Sequence, residues 1–405
     1  MKVLIISQYF TPEPGATSHR IESFVETLTA RGHQVTVISE FPNHPTGELA
    51  SSDKWRLFRT IDKGSFRVIN TFVMAFQKKN TVTRLLFYLS FALSSFFTAL
   101  FMRRRDVIFV SSPPIFHAFS AVFAAKLKRS KLVVDIRDVW PDAVTEVEAV
   151  SEGRLVKYSH VIERMIYRSA DLILTTTRGF KEMIESRGGR GKTHICYNGT
   201  FESIIKGNEY REGFRSELGW KGKVIITYAG LIGLAQNLTD ILKEIKNSPL
   251  RDVLYVFIGS GPLKEEFVRT VAELELSEVK VIDVMPLNQT LPYLYHSDLL
   301  LVTLREREFF KIVIPSKFFD CMAAGKPILS NVDGELREIM EEHNTGLYFS
   351  LQEPGSLKRA IETLSNNPDK IREMGDNGKK LVAARFLRSK LTADAVKLME
   401  DKLKI

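Results

Sequence analysis

Cysteine is nearly absent: Cys196 and Cys321 are the only two in 405 residues, and each lies in an apolar setting. That excludes a disulfide framework and a zinc site, and it fits a reducing cytosol. The sequence also lacks short repeats and low-complexity tracts. Its amino terminus, Met1-Lys2-Val3-Leu4-Ile5-Ile6, is too short for a signal peptide and reads as a first strand. The three-glycine dinucleotide fingerprint is missing too, because the first strand is followed by a lone Gly15. No Asp-x-Asp pair marks a divalent-ion site in the candidate loops, so no metal is expected.

What is present is globular in composition, with 44% hydrophobic and 26% charged residues. The length suits two domains of ordinary size. A net charge of +9 points to an anionic partner: nucleic acid, nucleotide phosphates or an anionic membrane. Composition does not choose among them.

Along the chain, apolar runs alternate with helical patterns. Val3–Ser7 leads through a Pro/Gly loop into a helix from His19 to about Ala30, and Val35–Ser39 follows. This is the start of a parallel α/β sheet. Gly15 permits close approach to amides at a helix N-terminus, and Arg20 is either anion-facing or a solvated surface arginine. The loop Glu40–Gly47, with Phe41, Asn43 and two prolines, sits where open α/β sheets place ligands. Asp106–Ser111 leads to His117, and Leu132–Ile136 leads to Arg137-Asp138-Val139-Trp140-Pro141-Asp142. His117 is a site residue or a structural histidine; Asp138 is a site residue or a helix cap. After Asn198-Gly199 a poorly patterned segment to about Lys223 reads as an interdomain connection. The pattern then restarts with Val224–Ala229 and the glycine loop Gly230-Leu231-Ile232-Gly233.

Leu85–Met102 is the most apolar segment, hydrophobic nearly all round apart from a small stripe of Ser90, Ser94 and Thr98. A spanning helix usually needs about 20 apolar residues. Basic residues stand on both flanks, Lys78, Lys79 and Arg84 before and Arg103-Arg104-Arg105 after, which argues against crossing. The alternatives are a buried core helix and one dipped into the inner leaflet, with Phe96, Phe97 and Phe101 in lipid and the arginines on headgroups.

Pro315-Ser316-Lys317-Phe318-Phe319-Asp320-Cys321-Met322-Ala323-Ala324-Gly325-Lys326-Pro327 reads as a short helix, capped by Ser316 and stopped by Gly325. Phe318, Cys321 and Met322 share a core face. Lys317 and Asp320 lie three apart, either as a surface pair or as ligand groups at a helix start.

These pieces, in this order, resemble the retaining family 4 glycosyltransferases of GT-B fold. The likeness is carried by Arg31-Gly32-His33-Gln34-Val35, Asn198-Gly199, Tyr228-Ala229-Gly230, Gly259-Ser260-Gly261-Pro262 and Pro315–Pro327. Phe41–Gly47, Asp135–Pro141 and Ile232–Gln236 are similar to those of bacterial O-antigen and capsule L-fucosamine (N-acetylfucosamine) transferases. The resemblance implies an α/β fold of two Rossmann-like domains facing across a cleft: 1–203 on the acceptor and membrane side, 204–385 for the nucleotide sugar. A C-terminal helix, 386–405, is expected to return to the first domain. It implies a donor site of Gly15, Ala16, Gly230, Leu231, Ile232, Gly233, Met285, Ser316, Lys317 and Asp320, with Lys317 on diphosphate and Asp320 on ribose. Asp138, His117 and Arg137 are the expected catalytic groups, and Arg20, Phe41 and Asn43 the acceptor groups.

The implied reaction moves a sugar from a UDP-sugar to an undecaprenyl-diphosphate-linked saccharide. The protein is expected at the cytoplasmic face of the cell membrane, with no cofactor and no nucleic-acid partner. The sequence departs from the family at two points. Lys311 or Ile312 stands where the family's first glutamate falls, and Gly230–Asn237 lacks its arginine–lysine pair, for which Lys317, with Arg305 or Arg307, is the nearest replacement. A UDP-sugar epimerase of the same fold is the main alternative. A dinucleotide oxidoreductase wants the missing glycines. A nucleic-acid binder wants arginines interleaved with stacking aromatics.

Overall fold

The structure, a computed structural model, describes residues 1–13, 15–43, 46–77, 80–148 and 154–404. His44 and Pro45 of the second loop and the flanking Lys78 and Lys79 lie outside the described residues. The chain forms two compact units, Met1–Tyr197 with Ser389–Ile405, and Asn198–Arg388.

The first unit holds an eight-stranded sheet in the order β3-β4-β2-β1-β5-β6-β7-β8. Its strands are β1 (Lys2–Ile6), β2 (Gln34–Glu40), β3 (Phe58–Asp62), β4 (Phe66–Thr71), β5 (Val107–Ser112), β6 (Lys131–Ile136), β7 (Leu172–Thr175) and β8 (Thr193–Ile195). All pairings are parallel except β3 with β4. The central strands are nearly continuous in Val, Ile, Leu and Phe because helices cover both faces. The β3–β4 edge was not legible as strand: β3 alternates exposed and half-buried residues and carries charge. The helices α1 (Ala16–Ala30), α2 (Thr81–Phe101) and α3 (Ile115–Lys128) pack on this sheet. The last helix, Arg388–Leu403, places Ala395, Val396, Met399 and Leu403 in the same core as Val3, Ile5 and Phe24. Glu400 on it accepts from Arg31 and meets His33 at 2.8 Å.

The second unit holds a six-stranded parallel sheet, β11-β10-β9-β12-β13-β14. Its strands are β9 (Val224–Ala229), β10 (Val253–Gly259), β11 (Val279–Asp283), β12 (Leu299–Val302), β13 (Ile328–Ser330) and β14 (Gly346–Tyr348). Numbered within the unit, the order is that of a doubly wound dinucleotide fold, whose ligand crevice opens at the strand C-termini where the order reverses. Here that point lies between β9 and β12. The segment expected as a connection instead belongs to this unit. It forms the helices Glu202–Lys206 and Phe214–Glu217, and Ile204, Phe214 and Trp220 are buried. The unit boundary therefore falls at Tyr197–Asn198, ahead of the expected residue 204.

Candidate functional site

In the second unit, the reversal point is built by two loops and a short helix. Gly230 adopts φ +147, and a Cβ on Gly259 would lie 1.9 Å from the Gly230 carbonyl oxygen. A Cβ on Gly261 would lie 2.3 Å from the Ile232 carbonyl oxygen. The glycines thus let two loops touch. The Gly230 amide donates to the Ile258 carbonyl and the Ile232 amide to the Ser260 carbonyl. Ile232 itself is buried in the core, whereas Leu231 is exposed. Of the four residues expected to cradle a diphosphate by their amides, only Leu231 and Gly233 keep that option. On the β12 side, Thr303 donates to the Gln236 carbonyl at 2.7 Å and the Arg305 amide to that of Ala235. Arg305 is therefore anchored beside the glycine loop, where the family's basic pair is missing.

The helix Lys317–Ala323 follows. Ser316 occupies its N-cap position with helical dihedrals and makes no capping bond, contrary to expectation. Phe318, Cys321 and Met322 are buried as expected, and Phe319 joins them. Burial pushes the Cys321 thiol up to about 12, so it is inert near neutrality. Lys317 does not pair with Asp320. Its ammonium lies 3.5 Å from the centroid of the Tyr228 ring, a cation–π contact. A Cβ on Gly230 would lie 2.6 Å from that nitrogen. The Nζ atom is buried and has no hydrogen-bond partner. Burial lowers its pKa to about 7, opposed by Cys321 and Asp320. Asp320 accepts from the Thr200 hydroxyl at 2.5 Å, and Thr200 is fully buried. Met285 packs beside β10, near Trp220.

Tyr228 and Thr200 are site residues that sequence reasoning missed as such. Both lay inside or next to quoted motifs, but a ring beneath an ammonium and a hydroxyl on a carboxylate are contacts that sequence spacing does not encode.

In the first unit, Gly15 caps α1 with φ 131, and Ala16 opens the helix. The Arg137 guanidinium holds this turn. It donates to the Thr17 hydroxyl at 2.5 Å, to the Ser111 hydroxyl at 2.9 Å and to the Pro113 carbonyl at 2.7 Å. Burial lowers its pKa to about 10, which leaves it cationic at neutrality with two N–H donors beyond these three. Beside it, the Asp138 Oδ1 is buried without a partner, and burial raises the pKa to about 6.

The other expected residues of this unit are spent elsewhere. Arg20 is 2% exposed and forked onto Asp135 at 2.7 and 3.0 Å, with a further bond to the Tyr197 carbonyl. It is a buried ion pair and reaches no acceptor. His117 is also buried, its Nε2 meeting the Ser111 carbonyl at 2.6 Å. Burial lowers its pKa to about 4, so it stays neutral. Its other nitrogen is enclosed without a partner, so it does not face an acceptor hydroxyl. Phe41 is buried under the Arg59 guanidinium. Asn43 is buried too; its amide group donates to Glu40 at 2.6 Å, and its backbone N–H donates to Glu13. These two shape the loop and expose no face to a ligand. Arg103 and Arg104 are exposed, but Arg105 turns inward toward Thr36. Phe97 and Phe101 are exposed, and Phe96 is half-buried.

Among the described residues, Asp142, His160 and Glu163 bring metal-type ligand atoms together. Arg187 already holds both Asp142 oxygens and one of Glu163, and Tyr167 donates to the other. Every carboxylate oxygen of that cluster thus already has a hydrogen-bond donor.

The family described as "Glycosyl transferase 4-like domain" matches residues 15–199, and "Glycosyl transferases group 1" matches residues 211–381. WcaI of Escherichia coli (strain K12), whose name ties it to colanic acid biosynthesis and glycosyl transfer, is 24% identical over 337 residues. That match covers 80% of this chain and 82% of WcaI. A Campylobacter jejuni protein is 24% identical over 58% of this chain and 61% of its own length. It is named N-acetylgalactosamine-N,N'-diacetylbacillosaminyl-diphospho-undecaprenol 4-alpha-N-acetylgalactosaminyltransferase. Among solved structures, Anabaena Alr3699/HepE in complex with UDP and glucose superposes with a TM-score of 0.70 at 16% identity. It covers 99% of this chain and 100% of that one.

Proposed function

The chain belongs to the GT-B glycosyltransferases, and from that premise we propose that it moves a sugar from a UDP-sugar to an undecaprenyl-diphosphate-linked saccharide, with retention of configuration. The observation that carries this reading is the Lys317 ammonium, buried on the Tyr228 ring beside Gly230 with no hydrogen-bond partner. A buried cation is costly until an anion joins it. At the end of β9, where nucleotides bind such sheets, a diphosphate is the fitting anion. Charge develops on that group as the sugar leaves, so an ammonium already in place stabilises departure without reorganising.

In this reading Asp320 takes the ribose hydroxyls, oriented by Thr200, and Arg305 supplies a second cation near the diphosphate. Asp138 receives or orients the acceptor hydroxyl, being ionised above pH about 6. Arg137 meets a phosphate with its remaining donors. No metal or other cofactor is asked for. The UDP complexes of the HepE structure and the lipid-linked substrate in the Campylobacter name support the donor and acceptor classes. The WcaI name, which prints colanic acid biosynthesis, supports a role in polysaccharide synthesis; within that class we propose O-antigen or capsule synthesis, with an N-acetylated or deoxy hexose such as N-acetylfucosamine as the donor sugar, on the sequence resemblance alone.

The same reading places the protein on the inner face of the cell membrane through α2. Val82–Phe101 is long and apolar enough to cross a bilayer, with 28% of its apolar window buried. Leu93, Phe97 and Phe101 are 59, 50 and 85% exposed. An interfacial helix with Arg103 and Arg104 on anionic headgroups satisfies both this face and the basic flanks. An epimerase of the same fold needs no such face.

The test is purified protein with a panel of UDP-sugars and a lipid-diphosphate saccharide, scored for labelled lipid and for the anomer formed. Transfer with retention is expected. No transfer from any donor, or epimerised UDP-sugar as the product, sinks the reading.

A further inference from the structure

The β3–β4 edge and α2 leave an apolar groove of about 850 Å³ between them. That volume is within the range of small-molecule sites. Leu86, Leu93 and Phe97 of α2 form one wall, and Leu57, Ile69 and Phe72 the other. The groove exists because α2 packs on α3, β2 and β4 and stops short of the outermost strand, β3. Nothing about β3 was legible in the sequence, so this wall was not anticipated.

The polar groups of its α2 wall are already spent. The Ser90 hydroxyl donates to the Phe87 carbonyl and accepts from the Met74 amide. Ser94 donates to the Phe72 carbonyl at 2.6 Å, and Thr98 to the Ser94 carbonyl at 2.8 Å. The stripe that looked like a polar seam therefore offers an incoming peptide nothing to bond. The occupant that suits such walls is a hydrocarbon chain.

The groove also has a direction. β4 ends at Thr71 and α2 begins at Thr81, so the helix starts at the C-terminal edge of the parallel strands and runs back across the sheet. That edge carries Gly15, Arg137 and Asp138. Half-buried aromatic rings join the two places. Tyr88 on α2 stacks on Phe116 at 6.3 Å, and Phe116 meets Trp140 edge-on at 5.7 Å, two residues beyond Asp138. A chain lying in the groove points its head group toward the strand C-terminal edge on which Arg137, at the end of β6 and four strands along from β4, has donors to spare.

We propose that this groove binds the polyprenyl chain of the acceptor, with its diphosphate toward Arg137. This rests on the lipid-linked-acceptor reading above. It adds a chain-length-sensing subsite on the Leu93, Phe97 and Phe101 face of α2, with the prenyl chain rather than bulk lipid as the occupant of the groove. Trp55, 96% exposed, lies two residues before Leu57 of the groove wall.

The test is photolabelling of the full chain with a C20 prenyl diphosphate carrying a terminal diazirine, mapped by peptide mass spectrometry. Label is expected on the peptides holding Leu57–Ile69 and Leu86–Met102. Unlabelled geranylgeranyl diphosphate should compete and inorganic diphosphate should not. Leu93→Trp fills the groove from an exposed position, and Leu57→Trp does so from the opposite wall. Either should cut labelling roughly tenfold and raise KM for a long-chain acceptor roughly tenfold, the loss of a few buried methylenes. KM for a C10 acceptor should stay unchanged.

Label scattered over the surface, or unaltered in both variants, overturns the proposal. So does labelling abolished by phosphatidylglycerol vesicles together with weaker flotation of both variants, which makes bilayer acyl chains the occupant. Labelling needs no turnover, so the two readings fail separately. Groove label without transfer to any prenyl-linked acceptor keeps the groove and removes the acceptor reading. Transfer without groove label does the reverse.

Discussion

Two charged groups at strand ends, Arg20 in the first unit and Lys317 in the second, meet opposite fates. Each sits in the first turn or two of a helix, α1 after Gly15 and Lys317–Ala323 after Pro315-Ser316, and each was expected to meet a phosphate. Arg20 is paired on Asp135, and its four described bonds are all internal. Lys317 has an aromatic ring beneath it and no hydrogen-bond partner. The first is a completed interaction that fixes α1 to β6; the second is half of one, and the other half comes with a ligand. Location at a sheet's C-terminal edge therefore does not by itself make a residue functional. What distinguishes the two is whether the fold has already supplied the counter-charge.

Substitution should separate the two cleanly. Arg20→Met strands the Asp135 carboxylate in the core and should cost about 3–5 kcal/mol of stability, read by denaturant unfolding. A loss below about 1 kcal/mol would mean that the pair is not holding α1. Lys317→Met should do the reverse. It should leave the free protein folded and lower kcat/KM by about 10²–10³, the usual scale for an electrostatic group at a transition state.

The pH sign sharpens the contrast. The folded pKa of Lys317, about 7, lies below its ordinary value of 10.5. The unfolded chain thus binds more protons between those values, and wild-type stability rises with pH across that window. Lys317→Met should remove that rise. A diphosphate pushes the pKa back up, so UDP affinity should fall as pH climbs above about 7. Affinity flat from pH 6 to 9 would break the assignment.

The fold was legible because parallel strands buried on both faces are apolar runs, and β1, β2, β5, β6, β9 and β10 are of that kind. The edge pair β3–β4 was not, since Phe58–Asp62 alternates exposed Phe58, Thr60 and Asp62 with half-buried Arg59 and Ile61 and so shows no apolar run. Lys317 and Asp320 were legible as candidates through their place in Pro315–Pro327. Their partners were not: Tyr228 is 89 positions from Lys317 and Thr200 is 120 from Asp320, and only the sheet order brings them together. Sequence likewise could not tell Arg20 from Arg137. Asp135 lies 115 positions from Arg20 and two from Arg137, yet it pairs with the distant one.

Asp138 and His117 repeat the comparison within one unit. Both are enclosed, but burial moves them in opposite directions, Asp138 up to about 6 and His117 down to about 4. If Asp138 serves the acceptor as a carboxylate, kcat/KM should fall below pH about 6 in wild type. Asp138→Asn should lose about a hundredfold at pH 7.5 and abolish that acid limb. His117→Phe should keep the limb. A limb that persists in Asp138→Asn would assign it to another group.

The smallest effect should come from Thr200, which touches no ligand in this reading and acts only through Asp320. Thr200→Val removes the 2.5 Å hydrogen bond and little volume. A hydrogen bond to a charged group contributes about 1.5–3 kcal/mol, but part of it returns when ribose hydroxyls replace the lost donor. UDP affinity should therefore drop only about threefold to tenfold, with kcat nearly unchanged, whereas Asp320→Ala should abolish measurable binding. Thr200→Ser restores the hydroxyl and should restore affinity, which a purely structural role for the methyl group would not allow. Equal losses in Val and Ser variants would show that Thr200 serves packing, and that Asp320 is oriented by something else.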